Sequence, residues 1–384
     1  MIKNNSHTMM ILSAALTGKT LEKVLSADEI SNVFHLASKH DLGHLVPRAC
    51  RVCGVAVPEA LKQTFFQVEM KAVWRYERLI REQEAICRTL EAAGIPFLPL
   101  KGAVIRELYP EPWMRTSCDI DVLVHREDLE RAVAALETEL QYRSEGQVYH
   151  DVSMMAPSGV HVEVHFKLNV HLDMVDQALY AVWDHCTTKP GWQQYRELEP
   201  EFFVFYFVAH MAGHLLRGGC GIRPVLDLWL MEQSWTLNQE KLTGYFADSG
   251  LLAFYEAVRK LAAVWFSKQE PDPVTEALSD YILTGGVYGT KENSIAVNQS
   301  KGKGTLGYWK NRLFFSREHL QGVYPELEKH PERYAYYQVK RWFRFLRKGT
   351  RDRIIEEYRQ GQNMDKEKLT STAELLSAMG LGDG

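Results

Sequence analysis

The run SCDIDVLV, residues 117–124, sets two carboxylates, Asp119 and Asp121, one residue apart inside an apolar, β-branched stretch. Successive side chains of a strand point to opposite faces, so both acids project from one face while Ile120 and Val122 project from the other. The apolar face has to be buried, and the acidic face has to meet cations or water, because an unpaired buried charge is very unfavourable. This strand therefore demands a sheet with one packed face and one polar, working face.

The surrounding texture fits such a sheet. PFLPL (96–100) is a short apolar run bounded by turn formers, and HREDLERAVAALETEL (125–140) has a helical period. QVYHDVSMMAP, a Ser158-Gly159 turn and VHVEVHFKL read as a β-hairpin. Residues 95–168 are the α/β segment. Before it, apolar residues recur at helical spacing from Ile11 to the stop at Gly94-Ile95-Pro96, punctuated by Pro47 and Pro58. After Lys167 the helical texture returns, with EFFVFYFVAHMAGHLLRGG, RPVLDLWLMEQ, GLLAFYEAVRKLAAVWF and YYQVKRWFRFLRKG as its clearest stretches. TGGVYGTKENSIAVNQSKGKGTLG reads as a long loop, and the last fifteen or so residues as a frayed tail. No internal repeat is present. The expectation is an α+β protein: an N-terminal helical region (1–80), a small mixed-sheet core (81–170), a C-terminal helical domain (171–350) and a polar tail (351–384).

Bulk properties exclude some classes. A net charge of −4 gives no global reason to expect nucleic acid or an acidic membrane as the main partner. Locally, residues 340–353 (KRWFRFLRKGTRDR) interleave seven basic residues with Trp342, Phe343 and Phe345, which suits RNA, a membrane surface or an acidic partner, or else a packed aromatic stripe with a solvated basic face. Six cysteines without a signal peptide suit the reducing cytoplasm, and the Cys50–Cys53 CxxC, lacking a second pair, reads as ordinary thiols. The apolar run 202–216 is too short, and too interrupted by His210 and His214, to span a bilayer.

The chemistry rests on the acids. On the later strand the alternation puts His161, Glu163 and His165 on one face. Like charges held close stay ionised only beside a cation, and a carboxylate pair joined by a third from a neighbouring strand suits Mg²⁺ or Mn²⁺, hard ions that leave places for water and phosphate. Two such ions can clamp the attacking and leaving oxygens of a phosphoryl displacement. The alternative is that Asp119 opens the strand as a turn residue and Asp121 sits at a solvated edge.

LKGAVIRELYP, followed by RTSCDIDVLV and then VEVH, resembles the uncharacterised nucleotidyltransferase family, a branch of the DNA polymerase β-like superfamily. AHMAGHLLRGGCGIRPVLDLWL and the stretch from Tyr308 to Leu346 look familial as well, so the resemblance covers roughly residues 75–346. It implies a polymerase β-like nucleotidyltransferase core, a nucleoside triphosphate as co-substrate and transfer of a nucleotidyl group to a hydroxyl-bearing acceptor, whether small molecule, peptide or protein side chain, or RNA end. Asp119 and Asp121 then bind metal, and Glu163 completes one site and orients or deprotonates the acceptor. Many superfamily members carry aspartate as this third acid, and Asp151 is the alternative under another hairpin register. Lys101-Gly102 stands where Gly-Ser is more usual. Gly102 lets polyphosphate approach a helix starting near Ala103, and Lys101 adds a point charge. Arg115 can hold phosphate or pair with an aspartate, and Ser117 can bond phosphate or cap the turn. His165 either pairs with Glu163 or touches substrate. His210 and His214, one helical turn apart, read as a polar contact between the helical portion and the cleft rather than as a zinc pair, with Arg223 and Asp227 as an ion pair or Asp227 as a structural residue. Two other functions remain open: a core that binds nucleotide without turnover, as a scaffold, and a metal-dependent phosphohydrolase.

Overall fold

A computed structural model describes residues 2–21, 25–148, 150–300, 314–315, 317–324, 326–345 and 365–382. Alternation of apolar and polar residues builds one five-stranded sheet: β1 (Phe97–Pro99), β2 (Asp119–Val124), β3 (Arg143–Gln147), β4 (Asp151–Met155) and β5 (His161–His165), in the order β1-β2-β5-β4-β3. β2 and β5 run parallel and the other neighbours antiparallel, so the sheet is mixed. Gly159, at φ 78°, closes the β4–β5 hairpin in a conformation that suits glycine.

Ile120, Val122, Val124, Val152, Met154, Val162 and Val164 form the packed face. They meet Leu79, Ile86 and Leu90 of α4 (Glu59–Ala92) and Leu129, Ala132 and Leu136 of α6 (Leu129–Leu140). Leu98 and Leu123 turn the other way, into a larger core shared by residues as distant in sequence as Met9, Leu45, Phe205 and Leu376. The N-terminal helices α1 (Ile2–Thr17), α2 (Ala27–Lys39) and α3 (Leu45–Val52) thus pack with the C-terminal ones around a common interior. Through it runs α8 (Pro200–Leu216), largely apolar and mostly buried apart from His210 and His214, with proline in its first turn, where no amide donor is lost. No described helix is long and apolar enough to cross a membrane.

Several expectations are corrected. α4 runs through the boundary placed at residue 80, so no structural break falls there. The segment taken as a long loop contains a helix, Lys291–Ser300, whose Ile295, Ala296 and Val297 are buried; three apolar residues are too few to show a period. Its continuation from 301 to 307 lies outside the described residues. The end of the chain is not frayed, because Asp365 caps a helix, Lys366–Ala378, that buries Leu375 and Leu376. β3 escaped notice because all five of its residues are exposed and polar. A two-stranded ribbon, β6 (Cys186–Thr188) with β7 (Arg196–Leu198), was also missed, and a bridge from Phe97 to Tyr195 ties it to the main sheet. In the basic segment a helix, Tyr334–Phe345, is present; Arg341 is buried over the Phe315 ring while Phe343 is exposed, and residues 346–353 lie outside the described residues.

The final helix yields a stability test. Leu376, only 1% exposed, should lose about 2–5 kcal/mol of folding stability on substitution by alanine, as buried leucines do. Urea unfolding of Leu376→Ala measures it, and a frayed tail would leave the midpoint unmoved.

Candidate active site

The parallel register sets the site. Asp121 stands opposite Glu163, and Asp119 opposite His161, so the two acids of β2 and the acid of β5 share the face away from the Ile120–Val122–Val124 core. Asp121 is buried, and its Oδ1 accepts from Lys101 Nζ at 3.1 Å and from His165 Nε2 at 2.9 Å. The same imidazole nitrogen lies 3.4 Å from Glu163 Oε2. Burial alone raises a carboxyl pKa, but Lys101 and His165 hold Asp121 well below the usual carboxylate range. Burial and the neighbouring Asp121 charge raise Asp119, with Lys101 opposing. Burial also works against a charged His165, yet its bonds to Asp121 and Glu163 carry it up to about 9. At neutral pH an ammonium and an imidazolium therefore share one carboxylate oxygen.

Lys101 holds this position from an unusual backbone, φ 40° and ψ −105°, a conformation that costs a non-glycine residue roughly 1–3 kcal/mol. It also donates to the buried Tyr206 hydroxyl. The helix expected near Ala103 begins at Gly102 and lasts one turn, Gly102–Ile105, too short for a strong dipole end. Gly102 has a further reason to lack a side chain: a Cβ there would lie 2.8 Å from Arg115 Nη1 and 3.3 Å from Ser117 Oγ.

Arg115 and Asp227 correct the expected pairing. Arg115 donates to Asp227 through Nε and Nη2, at 2.9 Å for the shortest bond, and the Tyr109 hydroxyl adds a third donor at 2.7 Å. Arg223 instead donates to the Thr116 carbonyl at 2.9 Å and reaches Asp41 at 3.5 Å. The i,i+4 spacing of Arg223 and Asp227 on α9 (Ile222–Ser234) suggested an ion pair, but Arg115 arrives from the loop between them and the sheet and takes the carboxylate. Ser117 accepts from Arg106, a fully buried arginine that also bonds the Gly102 carbonyl at 2.7 Å. Arg106 escaped the sequence reading because a lone arginine in an apolar helix start carries no pattern.

On α8, His210 and His214 stack edge to face with ring centroids 4.4 Å apart. Burial, Lys101 and each other's charge drive His210 well below its usual pKa, and burial with Arg217 takes His214 to about 4, so both are neutral. All twelve candidate residues line a single cleft of about 450 Å³, together with His150, Asn169, His171, Tyr206 and Tyr288. A slightly larger cavity of about 500 Å³, beyond the carboxyl ends of β2 and β5, has no acidic residue in its lining, so the chemistry belongs to the smaller one. Asp151 bonds His150 at 3.0 Å and sits beside His165, on the far side of β5 from Asp121.

Ligand atoms of Asp121, Glu163 and His165 lie within 4.8 Å of one another, as do those of His150, Asp151 and His165, and Asp119 belongs to neither group. In the first group the two carboxylates suit a divalent cation, whereas His165 would have to give up its proton to bind one. Lys101 and His165 neutralise the oxygen that a metal would take.

A mixed sheet with two acids on one strand, a third on its parallel neighbour and a lysine-glycine turn beside them is the arrangement expected of a nucleotidyltransferase core. The family model of the uncharacterised nucleotidyltransferases matches residues 26–267, and the chain belongs to that family. The match starts earlier than the motifs did and leaves the stretch from Tyr308 to Leu346 outside. No curated protein and no solved structure matches the chain.

Two stability tests arise here. Asp227→Ala strands a buried guanidinium and a buried phenol, and should cost about 3–5 kcal/mol, read by denaturant unfolding. The second concerns pH. His40 and His214, held near 4, bind a proton in the unfolded chain from about 6.5, so the stability they contribute above pH 6.5 is lost as pH falls toward 4. His165, raised to about 9, contributes below pH 6.5 and loses that contribution as pH climbs through 9. In chelator-containing buffer the urea midpoint should fall on either side of a near-neutral maximum, and His40→Gln should flatten the acid limb.

Proposed function

We propose that this nucleotidyltransferase moves a nucleoside monophosphate from a nucleoside triphosphate to a hydroxyl on a small molecule, a peptide or protein side chain, or an RNA end. The observation that carries the reading is the direct opposition of Asp121 and Glu163 across the parallel β2–β5 pair, with Asp119 two residues before. Asp119, Asp121 and Glu163 would hold Mg²⁺ or Mn²⁺. When bound, such ions neutralise polyphosphate charge and polarise the phosphoryl oxygens.

The chain's own groups do the rest. Lys101 and His165 keep Asp121 ionised, and Lys101 is the cation nearest the turn where the triphosphate would lie. Gly102 admits the phosphates, while Arg115 and Ser117, fixed by Asp227 and Arg106, wall the approach. Glu163, 28% exposed, is the acid best placed to take the acceptor proton. Neutral His210 and His214 offer the acceptor hydrogen bonds without charge. Six free cysteines support a reducing, cytoplasmic setting.

The test is incubation with labelled nucleoside triphosphates, Mg²⁺ and a lysate. A heavier, labelled acceptor with pyrophosphate is expected; free nucleotide would mean hydrolysis, and retention of unreacted nucleotide would mean a binding protein. Asp121→Asn should reduce turnover by more than the roughly 100-fold that loss of an outer-shell partner brings, with the circular dichroism spectrum unchanged. A fully active Asp121→Asn variant would refute the assigned role.

A further inference from the structure

The cleft contains a possible acceptor of its own. Three hydroxyl-bearing side chains line it: Ser117, Tyr206 and Tyr288. Ser117 is 7% exposed and engaged by Arg106, and Tyr206 is 3% exposed and engaged by Lys101. Tyr288 is 79% exposed, and its phenol has no hydrogen-bond partner among the described residues.

The backbone holds this tyrosine in place. It lies on the short connection after α12 (Pro273–Gly285), between Gly286 and Gly289, both in the left-handed region at φ 70° and 73°. A Cβ on Gly289 would fall 1.9 Å from the Gly218 carbonyl oxygen, and one on Gly286 would sit 3.4 Å from that of Lys39. At its Gly289 end the turn is therefore packed directly against the Gly218 backbone, while the Gly286 end lies in ordinary contact with Lys39. A large exposed aromatic on a fixed turn beside acids is poorly explained by packing.

We propose that the enzyme nucleotidylates its own Tyr288 in cis, an inference that rests on the nucleotidyl-transfer reading above. Tyr288 Oη attacks the α-phosphorus of the bound triphosphate and a new oxygen–phosphorus bond forms. The bond from that phosphorus to the bridging oxygen breaks, and pyrophosphate leaves with the electron pair. The phenolic proton passes to the Glu163 carboxylate and from there to water. The product is a phosphodiester between Tyr288 and the nucleoside, and the step requires no oxidant or further reactant.

The experiment is intact-mass and peptide-fragmentation mass spectrometry of the purified full chain after incubation with Mg²⁺ and each nucleoside triphosphate in turn. A gain of a single nucleotidyl group, mapped to Tyr288 rather than to the buried Tyr281 of the same tryptic peptide, is expected, with matching pyrophosphate. Tyr288→Phe keeps the ring on an exposed turn and should lose the gain. The fraction labelled per minute should be independent of protein concentration; a rate that rises with concentration means transfer between molecules and overturns the assignment in cis. A gain that survives in Tyr288→Phe overturns the site. Labelled acceptor in a lysate with no gain on the chain overturns this inference and leaves nucleotidyl transfer standing, whereas no pyrophosphate under any condition overturns both.

Discussion

The buried Asp121 carboxylate is the point about which the rest is arranged. It sits on an interior strand, β2, whose opposite face packs Ile120, Val122 and Val124 into an apolar core, so it cannot turn away, and its neighbours two residues back and one strand over are also acidic. Repulsion of that kind is relieved by proton uptake, by a metal or by a local cation. Here Lys101 and His165 supply the cations, and Asp119, further from both, takes the raised pKa instead. The asymmetry separates the two acids: the cations beside Asp121 favour its charged form, and burial beside that charge disfavours ionisation of Asp119.

This arrangement explains the company that the site keeps. Lys101 reaches Asp121 only because its backbone departs from the usual regions, and that departure is stabilised by what surrounds the turn. Arg106 bonds the Gly102 carbonyl from inside the core, and Arg115, gripping Asp227 of α9, fills the space that a side chain at 102 would take. The buried Arg115–Asp227–Tyr109 contact therefore ties the Lys101-Gly102 turn to the helical interior. Removing one member leaves buried charge or polarity unpaired, which is far more damaging than losing a surface pair.

The parts of this molecule legible in the sequence are those with a local period. Alternation in SCDIDVLV and VHVEVHFKL fixes which side chains share a face, and the placement of Asp119, Asp121, Glu163 and His165 follows from it. The hairpin register comes from the Ser158-Gly159 turn in the same way. What was not legible is long-range choice among equals. Arg115 and Arg223 are both arginines near Asp227, and only the path of the loop decides which one pairs with it. β3 and the helix after Thr290 carry too few apolar residues to show a period, and their structure depends on neighbours far away in sequence. The final helix is legible only in retrospect, because its two adjacent leucines mark a buried patch only once a partner surface is known.

Lysine in place of a smaller residue at the turn after β1 has a physical logic of its own. A glycine-serine turn offers backbone and hydroxyl donors but no charge, whereas Lys101 brings a full positive charge that Asp121 already occupies. A cation held by Asp121 would relieve Lys101 of that partner, and a polyphosphate arriving with the cation would give the ammonium a second anion. The desolvated lysine would then keep an anionic partner in either state. The glutamate at 163 suits the same scheme. Its extra methylene, relative to aspartate, lets the carboxylate remain partly solvated while lying 3.4 Å from His165, in contrast to the buried Asp121.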